Sequence, residues 1–495
     1  MKFQSTRDQS AAKFSAAQVI KQGLAADGGL FVPESIPTLT KEDITALCAM
    51  DYPARAATIL GKFLTDYTAE ELLADCREAY APTSFVGGAA PLHKLSDTQT
   101  HVMELWHGPT AAFKDMALQI MPRLLSRALV KTGEERTALI LVATSGDTGK
   151  AALEGYKDID RIKMMVFYPV DGVSVVQKLQ MQTQTGHNVN VTAIKGNFDD
   201  AQSGVKKIFA DAEVAKKLDK QGYFLSSANS INWGRLAPQI VYYVSAYCDL
   251  LNKGEIAYGD KINVTVPTGN FGNIFAAYLA KLMGLPLDRL VCASNKNNIL
   301  TDFLTTGTYD RNRHFYLTMS PSMDILISSN LERLLYFVAG PEKTAAYMKQ
   351  LNETGAYTVD AADLAAIKES FEGYYADEEA TAATIRATMQ EHGYLIDTHT
   401  AVAVSAAKDY VQATGDKKPM VVASTASPYK FACDVYTSLY GEAPASPLAA
   451  LDQLAEKTGV EITYPLRGIG ERTVRFTDVV DAPKMQDAMM AYLAK

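Results

Sequence analysis

A chain of 495 residues, 47% of them hydrophobic and 21% charged, has a globular composition and is too long for one ordinary core, so two or three domains are expected. Its formal net charge of −8 argues against a basic nucleic-acid surface. Its five cysteines (Cys48, Cys76, Cys248, Cys292, Cys433) form no CxxC pair and its seven histidines no HxH or HExxH spacing, which argues against a disulfide frame, a zinc site and a catalytic metal. No run approaches the roughly 18 apolar residues of a membrane span, and the first residues lack the apolar stretch of a secretory leader. A cytoplasmic chain without membrane or nucleic-acid partners is expected.

Residues 1 to about 90 read as helices around the turn-rich "AADGGLFVPESIP", where Asp27-Gly28-Gly29 signals a tight turn. "ELWHGPTAAFKDMA" (104–117) reads as a loop running into a helix, and it holds one lysine, Lys114, among small and aromatic residues. Burying a lysine is costly unless the amine is paired or chemically used; a snorkelling or salt-bridged lysine at a helix start is the bland reading. From about 138 the pattern alternates. "TALILVAT" (137–144) is an aliphatic run of the kind buried on both sheet faces, followed by "IKMMVFYP" (162–169), "NVNVTAI" (188–194), "YFLSSA" (223–228), "KINVTVP" (261–267) and "RLVCASN" (289–295), with helices between them. Repeated β–α units predict mostly parallel sheets covered by helices. Residues 340 to 392, rich in Ala and Glu, read as an added helical segment, after which 399–411 and 418–425 return the chain to a core sheet. The expected division is 1–90 as an N-terminal extension, 91–230 as a smaller α/β domain, and 231–495 as a larger one with the helical insertion.

Ligands of open α/β sheets sit beyond the carboxyl ends of the strands. Three such ends are polar and glycine-rich. "TSGDTGKA" (144–151) offers the hydroxyls of Thr144, Ser145 and Thr148 beside Gly146 and Gly149. "PTGNFGN" (267–273) places Gly269 and Gly272 at a helix start, a cradle for an anion. "STASPYKF" (424–431) sets Ser424, Thr425 and Ser427 at a strand end. Any one of these alone is more often a plain connection. The Walker pattern is absent, as is GxGxxG at the first β–α turn, so a nucleotide is not the favoured ligand. A phosphate cradle with a singled-out lysine fits pyridoxal 5′-phosphate, whose aldehyde bonds an amine and whose phosphate needs such a nest. A fourth segment, "SSANSINWGR" (226–235), carries Asn229, Ser230, Asn232 and Arg235; it reads either as a helix start capped by Asn232 or as an anion site forked by Arg235.

With these segments in order, the chain resembles the threonine synthase family of fold-type II pyridoxal-phosphate enzymes. "HGPTAAFKD" (107–115) is similar to the family's cofactor-lysine motif, "GLAADGGLFVP" (23–33) to its N-terminal signature, and "SGDTG" (145–149) to its substrate-carboxylate loop. "SANSINWGR" (227–235) resembles its phosphate-recognition segment and "PTGNFGN" its cofactor-phosphate loop, and the resemblance runs along nearly the whole chain, towards the longer microbial and fungal branch. It implies two open α/β domains with the cofactor between them: the smaller one carries the lysine and substrate loop, the larger one the cofactor-phosphate loop. It implies conversion of O-phospho-L-homoserine and water to L-threonine and phosphate by a monomer or homodimer. Residue by residue, Lys114 would hold the cofactor, Gly269, Asn270, Phe271, Gly272 and Asn273 its phosphate, and Thr425 its ring nitrogen. Ser145 would hold the substrate carboxylate, with Thr148, Asn229, Ser230 and Arg235 around the substrate phosphate. Asp115 and Asp147 depart from the Asn that relatives often carry, which leaves open the group at the ring hydroxyl. One amine near both Cα and Cβ can shuttle the protons, and Lys114 is that candidate; His107 is expected to be structural, and Asp115 to face backbone N–H groups at the helix start. Another fold-type II lyase or dehydratase, and a catalytically silent binder of a phosphorylated ligand, are the alternative readings.

Overall fold

The structure, a computed structural model, describes residues 1–8, 12–144, 146–171 and 173–494. The strands follow from aliphatic runs that bury both faces. In Thr137–Ala143, Ala138, Ile140 and Val142 join one core while Leu139 and Leu141 join another beneath helices Phe198–Ala210 and Met485–Leu493. The two-residue period thus reads as a continuous apolar run because neither face meets water. Leu290 and Cys292 oppose Val291 and Ala293 in the same way, and Val421 and Ala423 oppose Met420 and Val422.

These strands build two sheets. The five-stranded sheet runs Val479–Asp481, Val189–Lys195, Ile162–Pro169, Thr137–Ala143, Tyr223–Ser226, parallel throughout. The six-stranded sheet runs Phe371–Tyr375, Leu287–Ser294, Ile262–Pro267, Met420–Ser424, Thr100–Glu104, Leu92–Lys94, parallel except at the last pair. One core, which includes Trp233 and the buried helix Pro238–Asn252, is shared by both sheets and the N-terminal helices.

Three features differ from the sequence reading. The N-terminal segment is not helical alone, since Phe3–Ser5 and Phe31–Pro33 pair antiparallel around Ala16–Gln22. The segment 340–392 contains Phe371–Tyr375, which edges the six-stranded sheet against Leu287–Ser294. Its "FEGYY" mixes charge and glycine with aromatics because an edge strand buries little. Two pairings also cut across the expected domain ranges: 92–104 lies in the sheet of the larger domain, and Val479–Asp481 extends the sheet of the smaller one.

Candidate active site

The carboxyl ends of the central strands deliver the polar loops. After Ala143, the Thr144 hydroxyl accepts the N–H groups of Gly146 (3.0 Å) and Gly149 (2.9 Å), which closes the turn into helix Asp147–Tyr156. Gly146 sits at φ 141°, and a Cβ there would lie 2.5 Å from the Gln177 side chain, so only glycine fits. Asp147 is the first residue of that helix and is buried. Thr148 beside it is half-buried, and Ser145 lies outside the described residues.

The loop before Lys114 is stitched to the end of strand Met420–Ser424. Phe113 N–H donates to the Thr425 carbonyl (2.8 Å), Ser427 N–H to the Ala111 carbonyl (3.1 Å), and Lys430 Nζ to the Thr110 carbonyl (2.9 Å). Ala111 holds φ 59°, the left-handed region that an alanine enters only when its surroundings force it. Lys114 opens the short helix Asp115–Leu118 and is buried. Its Nζ lies 3.4 Å from Asp147 Oδ2 and 3.4 Å from Ser322 Oγ. Burial lowers its pKa; Asp147 opposes that shift, while the charges of Arg235 and Lys430 add to it. Burial alone would raise Asp147, but Lys430 and Lys114 hold it well below the usual carboxylate range.

The cradle at 268–273 is built from its carbonyls outward. Gly269 C=O accepts from Ser328 Oγ (2.7 Å), and Asn270 C=O accepts both the N–H and the Nδ2 of Asn330 (3.0 Å each). Phe271, at φ 63°, turns the chain into helix Gly272–Leu282, whose first N–H groups lie outside the intrahelical ladder. A Cβ on Gly269 would come 2.8 Å from the Ser322 carbonyl, so the same serine that touches Lys114 closes over the cradle. Asn273 Oδ1 accepts from the hydroxyls of Tyr242 (2.6 Å) and Tyr243, which leaves its Nδ2 buried and without a partner. A buried unpaired donor is costly, and an anionic oxygen at the helix start would satisfy it. The chemistry of this donor set fits a cofactor phosphate.

Thr425 is buried at the strand end, its backbone committed to Phe113. Arg235 is buried, and its guanidinium donates to the Ala228 carbonyl at 3.0 Å; no ion pair to a carboxylate is formed by it among the described residues. Burial pulls it down to about 10. Asn232 caps helix Trp233–Leu236, donating also to Ile20 C=O at 3.0 Å, as the structural reading of that segment expected. Asn229 is exposed and Ser230 half-buried, so of the three donors read together only Arg235 is enclosed. His107 is structural in its contacts: it meets Glu104 Oε2 (2.6 Å) and the Val86 carbonyl (2.9 Å) and stacks on Trp106. Asp115 accepts from Thr110 N–H (2.8 Å) and Oγ1 (2.7 Å), and burial pushes its carboxyl up to about 7.

Sequence reasoning passed over four residues here. Ser322 bridges Lys114 and the cradle; His399 accepts its N–H at Nε2 (3.1 Å) and pairs through Nδ1 with Asp397 (2.9 Å). Lys430 reaches Asp147 Oδ1 at 2.8 Å. Only Lys430 stood in one of the polar loops read as candidate ligand sites, and nothing in "SPYKF" marks its lysine.

Three family models match the chain: threonine synthase N terminus over residues 2–80, pyridoxal-phosphate dependent enzyme over 83–426, and threonine synthase, C-terminal, over 400–463. Threonine synthase of Pseudomonas aeruginosa is 39% identical over 457 residues, which cover 91% of this chain and 93% of that protein. Threonine synthase-like 1 of Homo sapiens is 40% identical over 441 residues, 86% of this chain; the chain spans only 58% of that relative's length. Among solved structures, pyridoxal-phosphate-bound threonine synthase from Brucella melitensis superposes with a TM-score of 0.88 at 37% identity, covering 100% of both chains. Threonine synthase from yeast gives a TM-score of 0.88 at 31% identity, over 100% of this chain and 99% of that one.

Proposed function

The chain belongs to the threonine synthase family of pyridoxal-phosphate dependent enzymes, and we propose that it converts O-phospho-L-homoserine and water to L-threonine and phosphate. The observation that carries the reading is a buried amine, Lys114, associated with two separate donors that lack an anion: the Asn273 amide at the cradle and the Arg235 guanidinium. A cofactor phosphate and a substrate phosphate are the two anions this reaction brings.

Gly269, Asn270, Phe271, Gly272 and Asn273 would hold the cofactor phosphate, Lys114 would carry the cofactor covalently, and Thr425 would meet its ring nitrogen. When bound, pyridoxal phosphate supplies the electron sink that acidifies the substrate's Cα and Cβ protons. Lys114 Nζ takes the Cα proton, then serves Cβ, and burial lowers its pKa from the usual lysine range. Arg235, with Thr148, Asn229 and Ser230, binds the substrate phosphate and stabilises the charge that grows on it as the Cγ–O bond breaks. Ser145 and the helix start behind it receive the substrate carboxylate. Thr425, a neutral hydroxyl rather than a carboxylate, would hold the ring nitrogen without drawing a proton onto it. Burial of Lys114 and Asp147 keeps bulk water from these transfers until hydration at Cβ.

Among the described residues no helix is long and apolar enough to cross a membrane, and all five cysteines are free thiols. Free thiols support a cytoplasmic setting, where the chain acts on its small-molecule substrate as a monomer or homodimer without nucleic acid. The test is the visible spectrum of the purified protein with added cofactor, then phosphate and L-threonine assayed with O-phospho-L-homoserine. A colourless protein, or turnover of unphosphorylated homoserine at the same rate, would overturn the reading.

A further inference from the structure

Lys430 takes no part in the reaction as drawn above, yet its side chain is 0% exposed, in the turn Pro428–Phe431 just beyond Thr425. Its ammonium has three acceptors: Asp147 Oδ1 (2.8 Å), Thr110 C=O (2.9 Å) and Gln180 Oε1 (3.1 Å). These come from helix Asp147–Tyr156, the loop before Lys114, and helix Val175–Gln182, so one side chain of the six-stranded half grips two elements of the five-stranded half. Gln177 Nε2 shares the same Asp147 oxygen at 2.8 Å, while the other oxygen faces Lys114 at 3.4 Å and Ser322 at 3.5 Å. A single carboxylate therefore stands between two ammonium groups, and the closer contact goes to the lysine that does no chemistry.

We propose that Lys430 is a positioning residue for the proton transfers of Lys114: it draws the Asp147 carboxylate onto itself, so that the carboxylate does not close on Lys114 and the Lys114 amine stays free to reach the substrate carbons. The inference rests on the reading of Lys114 as the cofactor lysine. The charges bearing on Lys114 are Asp147, Arg235 and Lys430; its neighbour Asp115 is turned to Thr110. With Lys430 made apolar, Asp147 would have only Lys114 to neutralise it, and the repulsion of Lys430 would also be gone. Both changes favour a protonated, tightly paired Lys114. Loss of Asp147 acts in the opposite direction.

The experiment compares full-length wild type, Lys430→Met, Lys430→Arg, Asp147→Asn and the Lys430→Met/Asp147→Asn double variant. Two readouts are followed against pH: the midpoint of the visible cofactor band of the holoenzyme, and the acetylation of Lys114 by acetic anhydride in the cofactor-stripped chain, located by mass spectrometry. Removing Lys430 should raise both midpoints by roughly one to three pH units, the size expected of a charge at this range. Lys430→Arg should stay near wild type, and the double variant should fall between the two single variants Asp147→Asn and Lys430→Met. Wild type against Lys430→Met decides, with Lys430→Gln in its place if the Met variant does not fold; Asp147→Asn against the double variant isolates the direct repulsion that does not pass through the carboxylate. Midpoints that stay put or fall on losing Lys430 would overturn its role. A borohydride-reduced adduct on a lysine other than 114 would instead overturn the reading of Lys114.

Discussion

Arg235→Leu separates function from stability, because the two should move in opposite directions. Arg235 is 6% exposed and its guanidinium is bonded to one carbonyl, with burial pulling its pKa down to about 10. That depression corresponds to a desolvation cost of roughly 3 kcal/mol at neutral pH. Part of it is offset by the hydrogen bond to Ala228, about 1 kcal/mol, so the unliganded Leu variant should be more stable by roughly 2 kcal/mol. Its melting temperature in phosphate-free buffer should rise by a few degrees. With substrate the balance reverses: losing one partner of a buried charge pair costs about 2–5 kcal/mol, so kcat/KM for O-phospho-L-homoserine should fall roughly 30-fold to several thousand-fold. Part of the loss should appear in kcat, since charge builds on the departing phosphate. Lys should restore only part, lacking the planar fork. The assay is steady-state kinetics beside a thermal melt of the same preparation, with the cofactor band as a control. A Leu variant that melts lower while kcat/KM is unchanged, or that has lost its cofactor, would refute the reasoning.

Lys114→Ala should abolish turnover and the borohydride-reducible adduct on the peptide containing residue 114; an adduct surviving elsewhere counts against Lys114. Thr425→Asp should damage threonine yield more than Thr425→Ala, because a carboxylate draws a proton onto the ring nitrogen; equal, near-normal product partition in both speaks against that contact. Asn273→Leu removes the unpartnered amide, and a hydrogen bond to a charged group contributes about 1.5–3 kcal/mol. Cofactor affinity should therefore drop about tenfold to over a hundredfold by fluorescence titration, and an unchanged Kd would remove Asn273 from the cradle. Asp115, with its carboxyl pushed up to about 7, is protonated more readily folded than unfolded. Its share of stability is thus full below the unfolded carboxylate range and is lost as pH rises towards 7. Asp115→Asn should flatten that portion of the urea-midpoint profile between about pH 4 and 7, and a difference curve without slope there would contradict the assignment.

What the sequence made legible was whatever had a local cause. The aliphatic runs at 137–143, 162–169 and 262–267 stood out because both faces of those strands are buried. Strand Phe371–Tyr375 did not, since an edge position keeps a charge and a glycine among its aromatics. The segments of the candidate site were legible as glycine and hydroxyl clusters after strands, and Lys114 by the small residues before it. Ser322 was not: it meets Lys114 across a separation of 208 residues, from a loop without a motif. Lys430 differs from the chain's other lysines only in what three distant segments place around its ammonium. His399 could be read as the second residue of a helix capped by Asp397, but its hold on Ser322 belongs to tertiary contact alone.

The pairing of Thr100–Glu104 with Met420–Ser424 sets the order in which this molecule can assemble. During synthesis at about 5–20 residues per second, the early strand waits on the order of half a minute for its parallel partner. The five-stranded sheet gains Val479–Asp481 later still. Until then a nascent chain offers a strand with open backbone groups, a surface that pairs wrongly when left alone. A message cut short before residue 420 would give no partial enzyme: the lysine loop would have no Thr425 carbonyl to bind and no Ser427 N–H to receive.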